Sequence, residues 1–286
     1  MLIIVDSNYI CHMRKHTMGD LSYEEMATGV IFGFLQTVLA VIERFQSRRI
    51  AFAWDSRISK RKALFPDYKL MRHKDKTPEE IKQDKIAYRQ FGQLRKKVLP
   101  KLGFKNVFIQ AGYEADDIIA SLVESQNGSE EICIVGSDND LYQLLKPNVF
   151  MYHPSKKRTY TAVKFIEEKG IQPKTWKTVK KIAGCKGDGV PNVPGVGEVT
   201  AIKYITSKLA YKSKAYKSIT STSGMARIRE NHDLVCLPFP GTKTFEIADN
   251  EVFHYKDFVE VCGSYGIKSF FQQKQTERWM KALEMR

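Results

Sequence analysis

Three short apolar runs, LIIV at 2–5, IAFAW at 50–54 and ICIVG at 132–136, constrain the fold of this chain more than any other feature. Each has the length of a strand, and none alternates with polar residues, so each reads as a strand buried on both faces. Between them, 22–45 has helical spacing through Met26, Ile31, Leu35, Val38 and Ile42. A shorter strand is expected near 107–109, followed by a helix from Glu114. Strands alternating with helices predict an α/β fold with a largely parallel sheet covered on both sides. At 286 residues and 43% hydrophobic content, the chain can bury one large domain and a smaller one. The pattern changes beyond about 161 to short helices broken by glycine and proline, as in GDGVPNVPGVG at 187–197. The expected division is therefore 1–160 and 161–286.

Ligands of parallel α/β sheets bind beyond the carboxyl ends of the strands, so acids at those ends carry most weight. Asp6 ends the first run, Asp55 the second, and Asp138 and Asp140 follow the third. Glu114, Asp116 and Asp117 open the helix in GYEADDI. Taken singly, such residues also serve as turn and helix caps. Four acid clusters at one sheet edge are a different matter, because they repel one another unless cations offset them. Oxygen ligands with few candidate histidines favour Mg²⁺ or Mn²⁺ over zinc. Two such ions roughly 4 Å apart can activate water and stabilise both oxygens of phosphodiester hydrolysis.

The net charge of +14 adds nucleic acid as the leading partner. Most of the excess falls at 57–105, where 16 lysines and arginines face 5 acids, a difference of 11. Phe65, Tyr68, Tyr88 and Phe91 are interleaved there. Basic groups with aromatic faces suit single strands, and a solvated lysine-rich helix is the plainer alternative. The five cysteines have no zinc-like spacing, which fits a reducing cytoplasm. No apolar run approaches the length of a membrane span, and no leader opens the chain, so neither insertion nor secretion is expected.

GYEADD followed by SDND and then GD…PGVG resembles the flap endonuclease and 5′→3′ exonuclease family, which includes phage 5′ nucleases and the nuclease domain of bacterial repair polymerases. The resemblance runs from Asp6 to about Ala201 and extends weakly to LVCLP at 234–238. It implies a PIN-like nuclease domain beside a smaller helical domain. It also implies two Mg²⁺ ions, replaceable by Mn²⁺, held by Asp6, Asp55, Glu114, Asp116, Asp138 and Asp140, with Asp117 nearby and Asp188 from the second domain. Arg61, Tyr68, Lys69 and Arg72 resemble the basic motif of a helical arch that takes DNA, and Lys69, Arg72 and Asp138 would serve the chemistry. The stretch 178–208 resembles a helix-hairpin-helix that grips duplex DNA through Gly195, Gly197 and Lys203, often with K⁺.

Three departures accompany the resemblance. Cys185 stands where the family commonly has an aspartate, leaving Asp188 alone in that motif. Val199 replaces a common lysine, and Glu198 is unfavourable beside phosphate. The expected activity is cleavage near 5′ ends, flaps or junctions, leaving a 5′-phosphate and a 3′-hydroxyl, by a monomer that replication or repair proteins can accompany. Two rivals stand beside it. A PIN-type ribonuclease shares the acid-lined edge, and a DNA-structure-binding protein that has lost metal would hold flaps without cutting them.

Overall fold

The computed structural model describes residues 1–73, 76–126, 128, 130–250 and 252–285, except the side chains of residues 72 and 73. Its centre is a six-stranded sheet. The strands are β1 (Leu2–Asp6), β4 (Ile50–Trp54), β5 (Val107–Ile109), β6 (Ile132–Val135), β7 (Val149–His153) and β8 (Arg158–Tyr160), and β2 (Ser22–Tyr23) and β3 (Met26–Ala27) form a separate hairpin. The order across the sheet is β5-β4-β1-β6-β7-β8, all parallel except β8, which runs against β7.

The chain leaves β1 toward β4 and β5, then returns to lay β6 on the other flank of β1 and continues to β7. The connections therefore diverge between β1 and β6, and such a switch point opens a crevice at the strands' carboxyl ends. Asp6 closes β1, Asp55 follows β4 and Asp138 follows β6, so the topology delivers all three to that edge.

Side chains alternate across the strands. Ile3, Val5, Phe52, Trp54, Cys133 and Val135 face a core shared with the helix Gly29–Phe45. Leu2, Ile4, Ala51, Ala53, Ile132 and Ile134 face a second core built on the helix Ala115–Ser125. Trp176, Val179, Ile182, Val193, Val196 and Ala201 of the hairpin region extend this second core, so the hairpin is seated directly against the sheet's helical layer.

The structure departs from the sequence-based expectation in three places. The helix expected over 22–45 begins only at Gly29, because Glu24 and Glu25 both take positive φ, 46° and 65°, and turn β2 into β3. A helix at Ser7–Met18 has no counterpart in the sequence pattern, since within it only Ser7, Ile10 and Cys11 are buried and the apolar period is faint. The C-terminal segment also does not stay with the hairpin region. Phe253, Phe258, Phe270, Trp279 and Leu283 join the core of β1 and the helix Gly29–Phe45. Arg278 completes this return with two hydrogen bonds to Glu43, 2.8 and 2.6 Å. The 160/161 boundary thus marks the end of the sheet in sequence, while residues beyond about 253 belong spatially to the first part.

Candidate metal centre and nucleic-acid interface

Each acid is positioned by the local structure that its residue type favours. Asp6 caps the helix Ser7–Met18, its Oδ1 accepting from the Tyr9 amide at 2.9 Å. Asp138 caps the short helix Asn139–Leu144, accepting from the Asp140 amide at 2.8 Å. Asp55 Oδ1 accepts from the Ala115 amide at 2.7 Å, and the Asp55 amide donates to Asn8 Oδ1 at 3.0 Å. Capping is thus the means by which these acids are held at one edge, and it does not compete with a shared function there.

The carboxyls of the group act on one another. Burial, then Asp55 and Asp138, push the Asp6 carboxyl up to about 7. Asp116 is raised well above the usual range by burial, then by Asp138 and Asp6. Asp140 is raised to about 6 by burial, with Asp138 adding to it and Lys180 opposing it. Carboxyls that hinder one another's ionisation in this way are relieved by a bound cation. Asp6, Asp116 and Asp138 are hard oxygen donors of the kind a divalent ion takes, while among the described residues it is Asp140, Cys185 and Asp188 that already bring three ligand atoms within 4.8 Å of one another.

Protein cations are committed elsewhere in the cluster. Lys69 Nζ donates to Glu114 Oε1 at 2.8 Å, and the Tyr68 hydroxyl donates to Oε2 at 2.9 Å. Burial alone would raise the Glu114 carboxyl, but Lys69 and Arg61 outweigh it and its pKa is lowered. Lys69 itself has a positive φ of 56°, and its amide donates to the Asp188 carbonyl at 2.8 Å. The partner loop carries Gly189 at φ 73°, where a Cβ would lie 2.9 Å from the Asp67 carbonyl oxygen. Only glycine combines that backbone with that approach. The loop Cys185–Val190 is closed by a reciprocal backbone pair, both bonds 3.0 Å.

Asp117, expected near the metals, is engaged as a structural anchor. It is fully buried, binds Arg61 through two bonds of 2.7 Å, and accepts from the amides of Phe239 at 2.9 Å and Glu114 at 3.1 Å. Arg61 and Tyr68, expected to meet DNA, are each 3% exposed. Arg61 also donates to the Leu234 carbonyl at 3.2 Å and lies 5.0 Å from the centre of the Phe239 ring. Tyr68 packs with Val190, Leu234, Val235 and Cys236 in a small core of its own. The faint sequence signal at LVCLP is thus a strap that ties the base of the basic segment to the acids.

The basic segment is helical over Pro78–Gln93, begun by a capping box between Thr77 and Glu80 with proline in the first turn. Its buried face, Asp84, Ala87, Gln90 and Phe91, rests on the protein, and Gln90 Oε1 accepts from the amides of Val30 and Ile31 at 3.0 and 3.3 Å. Phe91 is therefore core and not a stacking platform, whereas Tyr88 is 40% exposed. The backbone of Arg72 lies in the short helix Leu70–His73, and its side chain is outside the described residues.

In the hairpin, Gly195 has a φ of 77°. Gly197 is extended at φ −99° and ψ −179°, and caps the helix Glu198–Ile205. Among the described residues, chain neighbours aside, no atom lies within 4 Å of a Cβ built on either glycine, so this backbone is open to an approaching molecule. Lys203 is exposed on the following helix.

Sequence reasoning missed Lys180. It lies on the buried face of the helix Trp176–Ala183 and is 5% exposed, with Nζ 2.9 Å from Asp140 Oδ1. The available signal was a lysine one turn after Trp176, on a face otherwise apolar. Asp140, Cys185 and Asp188 place one ligand atom each within 4.8 Å of one another. Burial, then Asp140, push the Cys185 thiol up to about 11. It stays protonated at neutral pH and offers a poor donor to Mg²⁺.

Residues 1–170 match the family model described as "5'-3' exonuclease, N-terminal resolvase-like domain". The chain belongs to the 5′-3′ exonuclease family. A 5′-3′ exonuclease of Buchnera aphidicola is 31% identical over 222 residues, covering 76% of this chain and 74% of that protein. One from Bacillus subtilis is 35% identical over 183 residues, 62% of this chain and 58% of that one. A DNA polymerase I of Mycobacterium leprae matches 72% of this chain at 29% identity, but only 22% of the polymerase's length. Among solved structures, the T5 5′-exonuclease with bound zinc superimposes with a TM-score of 0.71 at 20% identity, covering 99% of this chain and 98% of that one. The fold is therefore the PIN-like nuclease fold expected from sequence.

Proposed function

We propose that this chain is a metal-dependent, structure-specific 5′ nuclease that hydrolyses DNA phosphodiesters near 5′ ends, flaps or junctions. The observation that carries this reading is the gathering of Asp6, Asp55, Asp116 and Asp138 at the switch point of a parallel sheet, where burial and mutual repulsion disfavour the charged forms of Asp6 and Asp116 and a cation would relieve both. Family membership supports it, as do the T5 flap endonuclease solved with DNA and metal ions, at a TM-score of 0.70, and human GEN1 solved with Holliday junction DNA, at 0.57.

Asp6, Asp116 and Asp138 would hold the ion, Mg²⁺ by preference with Mn²⁺ as substitute, and Asp55 faces the same group. When bound, the ion acidifies a water and offsets charge on the phosphate. Lys69, clamped between Glu114 and the Asp188 carbonyl, directs its ammonium toward the acid group and steadies the scissile phosphate. Arg72 lies three residues further along and acts with it. The hairpin backbone at Gly195 and Gly197, with Lys203, takes the phosphates of the duplex, and K⁺ would be the ion bound beside it. The chain acts as a monomer in the cytoplasm, beside replication or repair proteins.

The test is cleavage of a flap-labelled 5′-flapped duplex, and of its RNA counterpart, with Mg²⁺, Mn²⁺ or chelator. Metal-dependent release from DNA, lost in Asp138→Ala, supports the reading. Preferential cleavage of RNA would favour a PIN-type ribonuclease, and tight flap binding without cleavage would favour a non-catalytic binder.

A further inference from the structure

The acids of this site fall into two groups, and the second carries a cation of its own. Lys180 Nζ lies 2.9 Å from Asp140 Oδ1 and 3.8 Å from Glu198 Oε1, with its side chain only 6% exposed. The Nζ is 5.9 Å from the centre of the Trp176 ring, so an indole flanks the ion pair. The same Asp140 forms the trio with Cys185 and Asp188. A divalent ion entering that trio has to share Asp140 with Lys180, which sets two positive charges against one another across a single carboxylate in a buried place and is unfavourable. The third donor of the trio is sulfur, which suits a hard ion less well than oxygen does. At Asp6, Asp116 and Asp138 no ion pair with a described lysine or arginine stands in the way: Lys69 acts on Asp6 and Asp116 from a distance but pairs with Glu114, Arg61 pairs with Asp117 and Lys180 with Asp140.

We propose that Lys180 is the resident cation of the Asp140–Cys185–Asp188 group, so that the free protein takes up one hard divalent ion rather than two. This rests on the reading of the acid cluster as a metal centre. The ammonium supplies a fixed positive charge where a second ion would otherwise sit, and metal uptake follows a simple hyperbola.

The experiment is Mn²⁺ binding to the full chain without DNA, followed by calorimetry and by the electron paramagnetic resonance of free Mn²⁺, for the wild type and Lys180→Met. The wild type is expected to saturate with one ion. Lys180→Met is expected to take up a second, with affinity at that group raised about tenfold or more, as removal of a competing charge worth roughly 1.4 kcal/mol would give. Thermal unfolding checks that the variant is folded, and Lys180→Gln, which keeps a donor for Asp140, replaces it if it is not. Two ions of similar affinity in the wild type, or a single ion in the folded variant, would overturn the inference and leave the metal-centre reading intact. No Mn²⁺ bound by the wild type would overturn both.

Discussion

Arg61 separates a residue that serves DNA from one that serves the fold. Its guanidinium makes two bonds of 2.7 Å to a fully buried Asp117, and Asp117 in turn fixes the amides of Glu114 and Phe239. Arg61→Met strands that carboxylate without its counter-ion, which typically costs about 3–5 kcal/mol. At roughly 2–4 °C per kcal/mol for a chain of this size class, the melting temperature should fall by about 6–20 °C. Arg61→Met combined with Asp117→Asn removes the stranded charge and keeps an acceptor for an amide, so the double variant should lose less than Arg61→Met alone. Thermal and urea unfolding of the two variants and of Asp117→Asn close the cycle. A stable Arg61→Met protein that has lost only DNA affinity would refute this reasoning and return Arg61 to the interface.

Four further outcomes follow from the site. Because the Asp6 carboxyl is raised, the folded protein holds protons that the unfolded chain releases, so the metal-free protein should lose stability as pH rises from about 4 to about 7, and added Mn²⁺ should reverse the loss; unfolding across that range checks the sign. Lys69→Ala should lower turnover more than DNA binding, since its ammonium is held at the acids, and single-turnover cleavage beside equilibrium binding separates the two. Cys185→Asp should lower the Mg²⁺ concentration giving half-maximal cleavage by adding an oxygen donor beside Asp188, and an unchanged titration would count against it. Trp279→Ala should cost about 3–5 kcal/mol in urea unfolding if the C-terminal helix is part of the main core, whereas a negligible loss would detach it.

What the sequence disclosed and what it hid have physical reasons. Strands buried on both faces leave an apolar signature, and an aspartate soon after such a run is conspicuous, so Asp6, Asp55 and Asp138 are legible as sheet-edge acids in the sequence itself. Which acids keep company with protein cations is not legible there, because Arg61, Lys69 and Lys180 reach Asp117, Glu114 and Asp140 across 56, 45 and 40 positions, taken as differences of residue number. The basic segment misleads for a related reason. Its lysines are largely solvated, but Tyr68 and Phe91 point inward, and a mixed basic and aromatic stretch looks the same whether its rings face water or core. The return of the last helices to β1 leaves no local trace, since the amphipathic pattern of Gln273–Leu283 states that a face is buried without stating against what.

The most direct test of the metal centre is an anomalous difference map from a crystal of the wild-type chain grown with Mn²⁺. A peak is expected bounded by the carboxylates of Asp6, Asp116 and Asp138, at the carboxyl ends of β1 and β6. A chain that cleaves flapped DNA under the same Mn²⁺ conditions, with no peak there or with its only peak remote from these acids, would contradict that assignment.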